Sequence, residues 1–396
     1  MLSDGLSAVD CRQVSLLGLL DLSAAFDCVD HDLLLRRLAT SFGVDGAALA
    51  WITSYLSDQT QAVCYSGHTS TTKHLTFGVP QGFVLGPLLF LLYTAPVLDI
   101  IASCGLKGHC FADDMQAYIS SPATEAAAMV DHFARCVEAI DQWLARNRLK
   151  LNPDKTQATW IGTRQQLAKI EISQVTLPRA VVDFSPVVSD LGVLIDSRMD
   201  MAHHVSSVCR SCHFQLRQLR QVRGSLTAGC LQTLVHAFIS SRLDYCNSLL
   251  CGASDGLLAK LQSVQNAAAR LITGSRKFDH ITPVLRDLHW LPVRQRIIFK
   301  IALLVFKCLH GLAPPYLADL CKPVADVAGR RHLRSADTTT LLVPRYRTVL
   351  GSRNFAIAGP LVWNSLPVDL RSRDLSIGIF TNRLKTHLMR SPPAAH

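Results

Sequence analysis

The sequence predicts an α+β protein, with strands layered against helices through the first half and a mostly α-helical second half. Three stretches carry that expectation. Residues 14–22 (VSLLGLLDL) form an unbroken apolar run of strand length, suited to burial on both faces. Residues 108–119 set short β-prone segments on either side of Asp113 and Asp114, the pattern of a hairpin with carboxylates at its turn. From about Ala202 the character changes, and Val208, Cys212, Leu216 and Leu219 repeat at helical spacing.

The apolar run at 14–22 leaves Asp21 at the end of a strand, where a carboxylate either caps the next segment or projects as a metal ligand. Asp30 or Asp32 caps a helix reaching about Ala39. Residues 42–56 read as one further helix, with Trp51 and Tyr55 a turn apart. Alternation at 61–65 and 73–77 around Gly67 predicts a hairpin. Residues 78–90 (GVPQGFVLGPLLF) begin as a turn that lets backbone approach a ligand, and open a helix near Leu88. The uncharged run 83–98 is broken by Gly86, Pro87 and Pro96 and falls short of about 20 clean apolar residues, so it reads as a buried helix.

Beyond the carboxylate hairpin, Val130, Phe133, Val137, Ile140 and Leu144 mark a helix over 123–144. A basic turn at 147–156 leads to a strand ending at Ile161, and 187–195 reads as a strand centred on Leu191-Gly192. Helices over 226–250, 257–272 and 293–309 follow. The arginine-rich tail from about Pro314 reads as short strands and turns around Trp363.

With 396 residues, 49% hydrophobic and 18% charged, the chain has room for two or three domains and is not disordered. Its net charge of +10 hides an asymmetry: residues 1–200 hold 14 Lys+Arg against 21 Asp+Glu, whereas residues 201–396 hold 26 against 9. An acidic half joined to a basic half suits a metal site beside a polyanion-binding surface. Arg210, Arg217, Arg220 and Arg223 are either a solvated helix face or contacts to nucleic-acid backbone. Thirteen cysteines, odd in number and without framework spacing, fit free thiols in a reducing compartment. Cys209-Arg-Ser-Cys212-His213 matches a haem-attachment pattern but falls in a helix with no secretory signal ahead, and Cys246 with Cys251 is misspaced for zinc. No structural metal is expected. The acidic start lacks the basic segment of a signal peptide, so the expected location is intracellular, nucleus or cytoplasm, away from membranes.

The adjacent Asp113 and Asp114 are either a solvated turn or a metal site. Like charges repel, and burial raises a carboxylate pKa unless a cation compensates. Mg²⁺, with oxygen ligands and positions to spare for phosphate, is the usual compensation.

Four segments come in a telling order: Asp21-Leu-Ser-Ala-Ala-Phe26-Asp27, Gly78-Val-Pro-Gln81-Gly82, Phe111-Ala-Asp113-Asp114 and 149–156 (LKLNPDKT). Together they resemble the motifs of reverse transcriptases from non-long-terminal-repeat retrotransposons of the LINE-type, jockey-like group. The segments at Arg242-Leu-Asp-Tyr-Cys, Gln265 to Arg270, His289-Trp-Leu-Pro-Val and Ala313-Pro-Pro-Tyr316 resemble the region that follows the polymerase in these elements. The resemblance implies a polymerase palm (an antiparallel sheet with helices on one face) over 1–165 and primer-grip-like strands over 166–201. A helical thumb-like region over 202–275 and a basic C-terminal region of unassigned role over 276–396 complete the implied domains.

It further implies that Asp21, Asp113 and Asp114 hold two Mg²⁺ ions, with Mn²⁺ a possible substitute. Lys155 would protonate the departing pyrophosphate, Phe26 would stack under the incoming sugar and exclude a 2′-hydroxyl, and Gln81 and Gly82 would touch the template and the nascent base pair. The implied partners are an RNA template, a DNA primer and deoxynucleoside triphosphates, joined by two-metal phosphoryl transfer to the primer 3′-end. Read on residue type alone, the alternatives are a core ring for Phe26 and a surface lysine for Lys155.

The sequence departs from the family pattern at two places. Phe83 stands where the family has Ser, removing a helix cap worth roughly 1 kcal/mol, and Phe111 replaces a Tyr. Because Met1 lies only 20 residues before Asp21, the fingers are expected to be largely missing. Two rival readings follow: a catalytically inactive relic that at most binds nucleic acid, and an RNA-dependent RNA polymerase, against which Phe26 and the C-terminal segments argue.

Overall fold

The computed structural model describes residues 1–79, 84–326, 340–372 and 374–390. Contacts divide the chain into two units, one of Met1 and Arg12–Leu191, the other of Leu2–Cys11 and Gly192–His396. Helix α1 (Leu2–Asp10), which the sequence did not announce, therefore belongs to the second unit.

The first unit is built on β1 (Val14–Leu20), buried at six of its seven positions. Asp30 caps α2 (His31–Phe42) as expected, its Oδ1 accepting from the Leu33 N–H at 2.9 Å. The helix expected over 42–56 starts four residues late, and Phe42 belongs to α2. Gly43 ends α2 at φ 63, a left-handed conformation that stops a helix, and α3 (Gly46–Leu56) starts afresh. An exposed arm follows in two short ladders: β2 (Thr60–Gln61) pairs with β5 (Lys73–His74), and β3 (Cys64–Tyr65) with β4 (His68–Thr69) across Gly67. Helices α4 (Leu85–Thr94) and α5 (Pro96–Ser103) run together. Over Leu85–Ser103 they are long and apolar enough to cross a membrane, yet Leu89, Phe90, Tyr93, Val97 and Ile101 are packed into the core. Then come β6 (Lys107–Phe111), β7 (Asp114–Ser121), α6 (Ala126–Arg146) and β8 (Gln157–Ile161).

These strands form an antiparallel sheet in the order β6-β7-β1-β8, the α+β architecture expected. Its registers align Gly108, Ala117, Gly18 and Ala158 in one row across all four strands. The row is a trough of small residues that receives the helices. A Cβ on Gly18 would meet the Phe133 ring of α6, with Cε2 at 2.9 Å and Cζ nearer still, and one on Gly108 would lie 2.8 Å from Ile101 Cδ1 of α5. Helix α7 (Arg164–Leu167) and the hairpin of β9 (Gln174–Leu177) and β10 (Ala180–Asp183) continue the unit. The strand expected over 187–195 is interrupted. It ends as β11 (Val187–Asp190), the backbone turns through Leu191 (φ 45) and Gly192 (φ 78), and β12 (Val193–Asp196) follows.

The second unit is helical. Helix α8 (Ala202–Val222) leaves Arg210, Arg217, Arg220 and Arg223 exposed beside it. The helix expected over 226–250 is broken: α9 (Ala228–Val235) passes through a π-turn (His236–Ser240) into α10 (Ser241–Asp244), and Cys246 (φ 50) ends the run. Helices α11 (Asp255–Thr273) and α13 (Val293–Leu309) lie close to expectation, and α12 (Ile281–Asp287) between them was not expected. The tail differs. After α14 (Pro315–Ala318) it forms α15 (Phe355–Asn364) and α16 (Ile377–Arg390), not strands and turns. Burial outweighs propensity here: Trp363 and Phe380 are each at most 1% exposed, and Phe380 stacks on Phe306 of α13 at 4.3 Å.

Candidate active site

The sheet brings the predicted carboxylates to one corner. Register pairs Leu20 with Met115, the residues next to Asp21 and Asp114, and the two carboxylates are near enough for Asp21 to raise the Asp114 pKa. Pairing of Phe111 with Asp114 leaves Ala112 and Asp113 as a two-residue turn, with Ala112 at φ 53. Strand end and hairpin tip thus meet.

A third segment lies against them. The Asp21 carbonyl accepts from the Asn152 N–H at 2.9 Å, Ser23 N–H donates to the Lys150 carbonyl at 2.9 Å, and Leu22 bridges Leu151. The foot of that turn is pinned by the Arg37 guanidinium, which donates to Asn147 Oδ1 at 2.7 Å, and by the Tyr93 hydroxyl on the Asn147 carbonyl at 2.8 Å. Its far end carries Lys155, whose Nζ stands 3.2 Å from Asp21 Oδ2. That oxygen is fully enclosed and makes no hydrogen bond: the ammonium is within ion-pair reach but poorly aimed at it.

Burial, then the negative charges of Asp113 and Asp21, push the Asp114 pKa up, and Lys155 opposes them. Asp114 keeps an exposed surface, so solvent screens part of this repulsion. Among the described residues no three His, Cys, Asp or Glu side chains converge as a ligating group. The backbone pairing has nonetheless placed hard-oxygen donors side by side, and an enclosed carboxylate oxygen without a hydrogen bond is the atom a cation would satisfy. The donor set fits a divalent ion.

A fourth carboxylate joins this corner unannounced. Asp190, at the end of β11, accepts from Gln116 Nε2 at 2.6 Å. Burial raises its pKa, the Gln116 hydrogen bond lowers it, and Asp114 raises it again. In the sequence it is one acid before a Leu-Gly turn; only the fold sets it across from Gln116, two residues along β7 from Asp114.

Phe26 opens a 3₁₀ turn (Phe26–Cys28), half-buried, its ring 4.8 Å from that of Phe90. Its carbonyl accepts from Val79 N–H at 2.9 Å, and Gly78 N–H donates to the Val29 carbonyl at 2.7 Å. Gly78 sits at φ 96, and a Cβ there would lie 3.1 Å from the Asp27 carbonyl oxygen, so glycine is required. The start of the 78–82 segment therefore runs beside Phe26. Gln81 and Gly82, like Phe83, lie outside the described residues.

Residues 5–181 match the family described as "Reverse transcriptase (RNA-dependent DNA polymerase)". The family generally works with divalent metal ions. Relatives from Drosophila melanogaster refine the assignment. They are the probable RNA-directed DNA polymerases from transposon X-element (28% identical over 72% of this chain and 31% of that protein) and transposon BS (26%, 74% and 32%), and the RNA-directed DNA polymerase from mobile element jockey (23%, 72% and 31%). The chain is thus similar to reverse transcriptases of LINE-type, non-LTR transposons. It spans about a third of the length of these curated relatives.

Proposed function

We propose that this chain carries the palm, thumb and C-terminal region of an RNA-directed DNA polymerase, adding deoxynucleotides to a primer 3′-end along an RNA template. The observation that carries the reading is the corner itself, where Asp21 and Asp114 lie close and Asp21 Oδ2 is enclosed without a hydrogen bond. Asp21, Asp113 and Asp114 would hold Mg²⁺, or Mn²⁺ in its place. Bound there, the metal supplies Lewis-acid stabilisation of the charge that develops on the phosphoryl oxygens.

The chain's own residues do the rest. Lys155, 66% exposed at its side chain, is mobile enough to leave Asp21 and place its proton on the leaving pyrophosphate. Phe26, braced by Phe90, presents a ring where the sugar would stack, so that a 2′-hydroxyl is excluded. Gln81 and Gly82 follow the strand-like segment beside Phe26 and are assigned to the template and base pair. Nucleic-acid template, primer and deoxynucleoside triphosphates are thus the partners.

The test is primer extension on poly(rA)/oligo(dT) with Mg²⁺, comparing the chain with an Asp113→Ala, Asp114→Ala variant. Extension abolished in the variant supports the reading. A folded wild-type chain that binds the duplex without extending it would sink the reading and leave an inactive relic that binds nucleic acid.

A further inference from the structure

Two confluent recesses open in the helical second unit, outside the region that matches the reverse transcriptase family. One, of about 640 Å³, is walled by Arg286 and His289 on one side and by α16 on the other. The second, of about 440 Å³, shares His289 and Lys385 with the first and adds Lys300. Its acid, Asp244, is already matched by Arg296 at 2.7 Å.

Helix α16 is divided by its own periodicity. Phe380, Leu384 and Leu388 bury one stripe. Asn382, Lys385, Thr386, Met389 and Arg390, spaced i, i+3, i+4, i+7 and i+8, line the recess with a second. That stripe runs about 12 Å at 1.5 Å per residue, and it alternates fixed cations with an amide and a hydroxyl.

The opposite wall is set by a helix end. The end of α12 closes with Trp290 N–H on the Leu285 carbonyl at 2.8 Å and His289 N–H on the Arg286 carbonyl at 2.9 Å. This is the paired closure in which the residue before the last takes a left-handed conformation, a place that favours glycine. His289 occupies it at φ 54. His289 is shared with Lys385 by both recesses and stands where they adjoin.

We propose that this groove binds a single nucleic-acid strand along its sugar–phosphate backbone, separately from the polymerase corner. Lys385, Arg390, Arg286 and Lys300 neutralise phosphates, Asn382 donates to sugar or phosphate oxygens, and His289 lies against the strand between the two recesses.

The test is fluorescence anisotropy of the full chain with labelled 20-nucleotide RNA or DNA single strands, in chelator, across a salt series. The double variant Lys385→Gln, Arg390→Gln should lower the slope of log affinity against log salt by about 1.4, roughly 0.7 for each phosphate no longer neutralised. The RNA and DNA arms show whether the 2′-hydroxyl is read. His289→Gly should raise or hold the melting temperature while weakening binding, which a merely structural histidine would not do. An unchanged slope in a folded double variant overturns the proposal. So does displacement of the strand by polyglutamate at equal charge concentration, which would assign the groove to an acidic protein. Lost primer extension with this binding intact would count against the polymerase reading alone.

Discussion

The row of small residues across the sheet makes a sharp demand at its centre. Gly18 is flanked by Ala117 and Ala158, and the Phe133 ring descends onto it. In Gly18→Ala the new methyl would have Phe133 Cε2 at 2.9 Å, whereas carbon atoms rest about 3.5–4.0 Å apart. Phe133 is fully buried, so neither ring nor helix has open space to move into. Overpacking of this kind costs about 1–3 kcal/mol, although alanine also restricts the unfolded chain and returns part of that. For a unit of this size each kcal/mol is worth about 2–4 °C. The expected result is a melting transition lowered by about 2–12 °C, followed by differential scanning calorimetry. Phe133→Leu removes the clash, so the double variant should lose less than the two single losses added, by about 0.5–3 kcal/mol. Additive losses, or an unshifted Gly18→Ala, would refute the packing argument.

Three other expectations follow from the site. Folded Asp114 keeps its proton to higher pH than the ordinary 3.8, because of burial, Asp113 and Asp21. The folded state therefore binds more protons in that interval, and stability falls as pH rises from about 4 through the raised value. Asp114→Asn should flatten that slope in chelator-treated protein and abolish primer extension; a slope unchanged on chemical denaturation across pH 3.5–6 counts against it. Lys155→Met removes an ion pair whose lysine is 66% exposed, so stability should change by about 0.5 kcal/mol or less while single-turnover extension slows; a large loss of stability would mark Lys155 as structural. Asp30→Ala removes the cap on Leu33 and the 2.8 Å partner of Arg148, and about 1 kcal/mol of stability should go with it, read by urea denaturation.

Much of the site was legible in the chain. A strand-length apolar run ending in Asp21, and β-prone segments around Asp113 and Asp114, are local patterns, and local patterns fix strands and tight turns. Their meeting was inferred by resemblance, since nothing in either segment states that β7 lies beside β1. Breaks set by single left-handed residues were read less well. Gly43 moves the boundary between two expected helices, and Leu191-Gly192 interrupts 187–195, because hydrophobic periodicity carries no signal of φ.

What the sequence determined by itself was the inventory: the carboxylates, the turn residues, the helical stripes and the split of charge between halves. The tertiary structure decided which of them act together. It lined up Gly108, Ala117, Gly18 and Ala158, residues 18 to 158 in the chain, as one seat for two helices. It brought Asp190 opposite Gln116, and made helices of a tail containing Gly359 and Pro360 by burying them. The physical reason is common to all three. Propensity and periodicity act over a few neighbouring residues, whereas strand register and packing join residues far apart in the chain, where close contact and the cost of burying charge outweigh local preference.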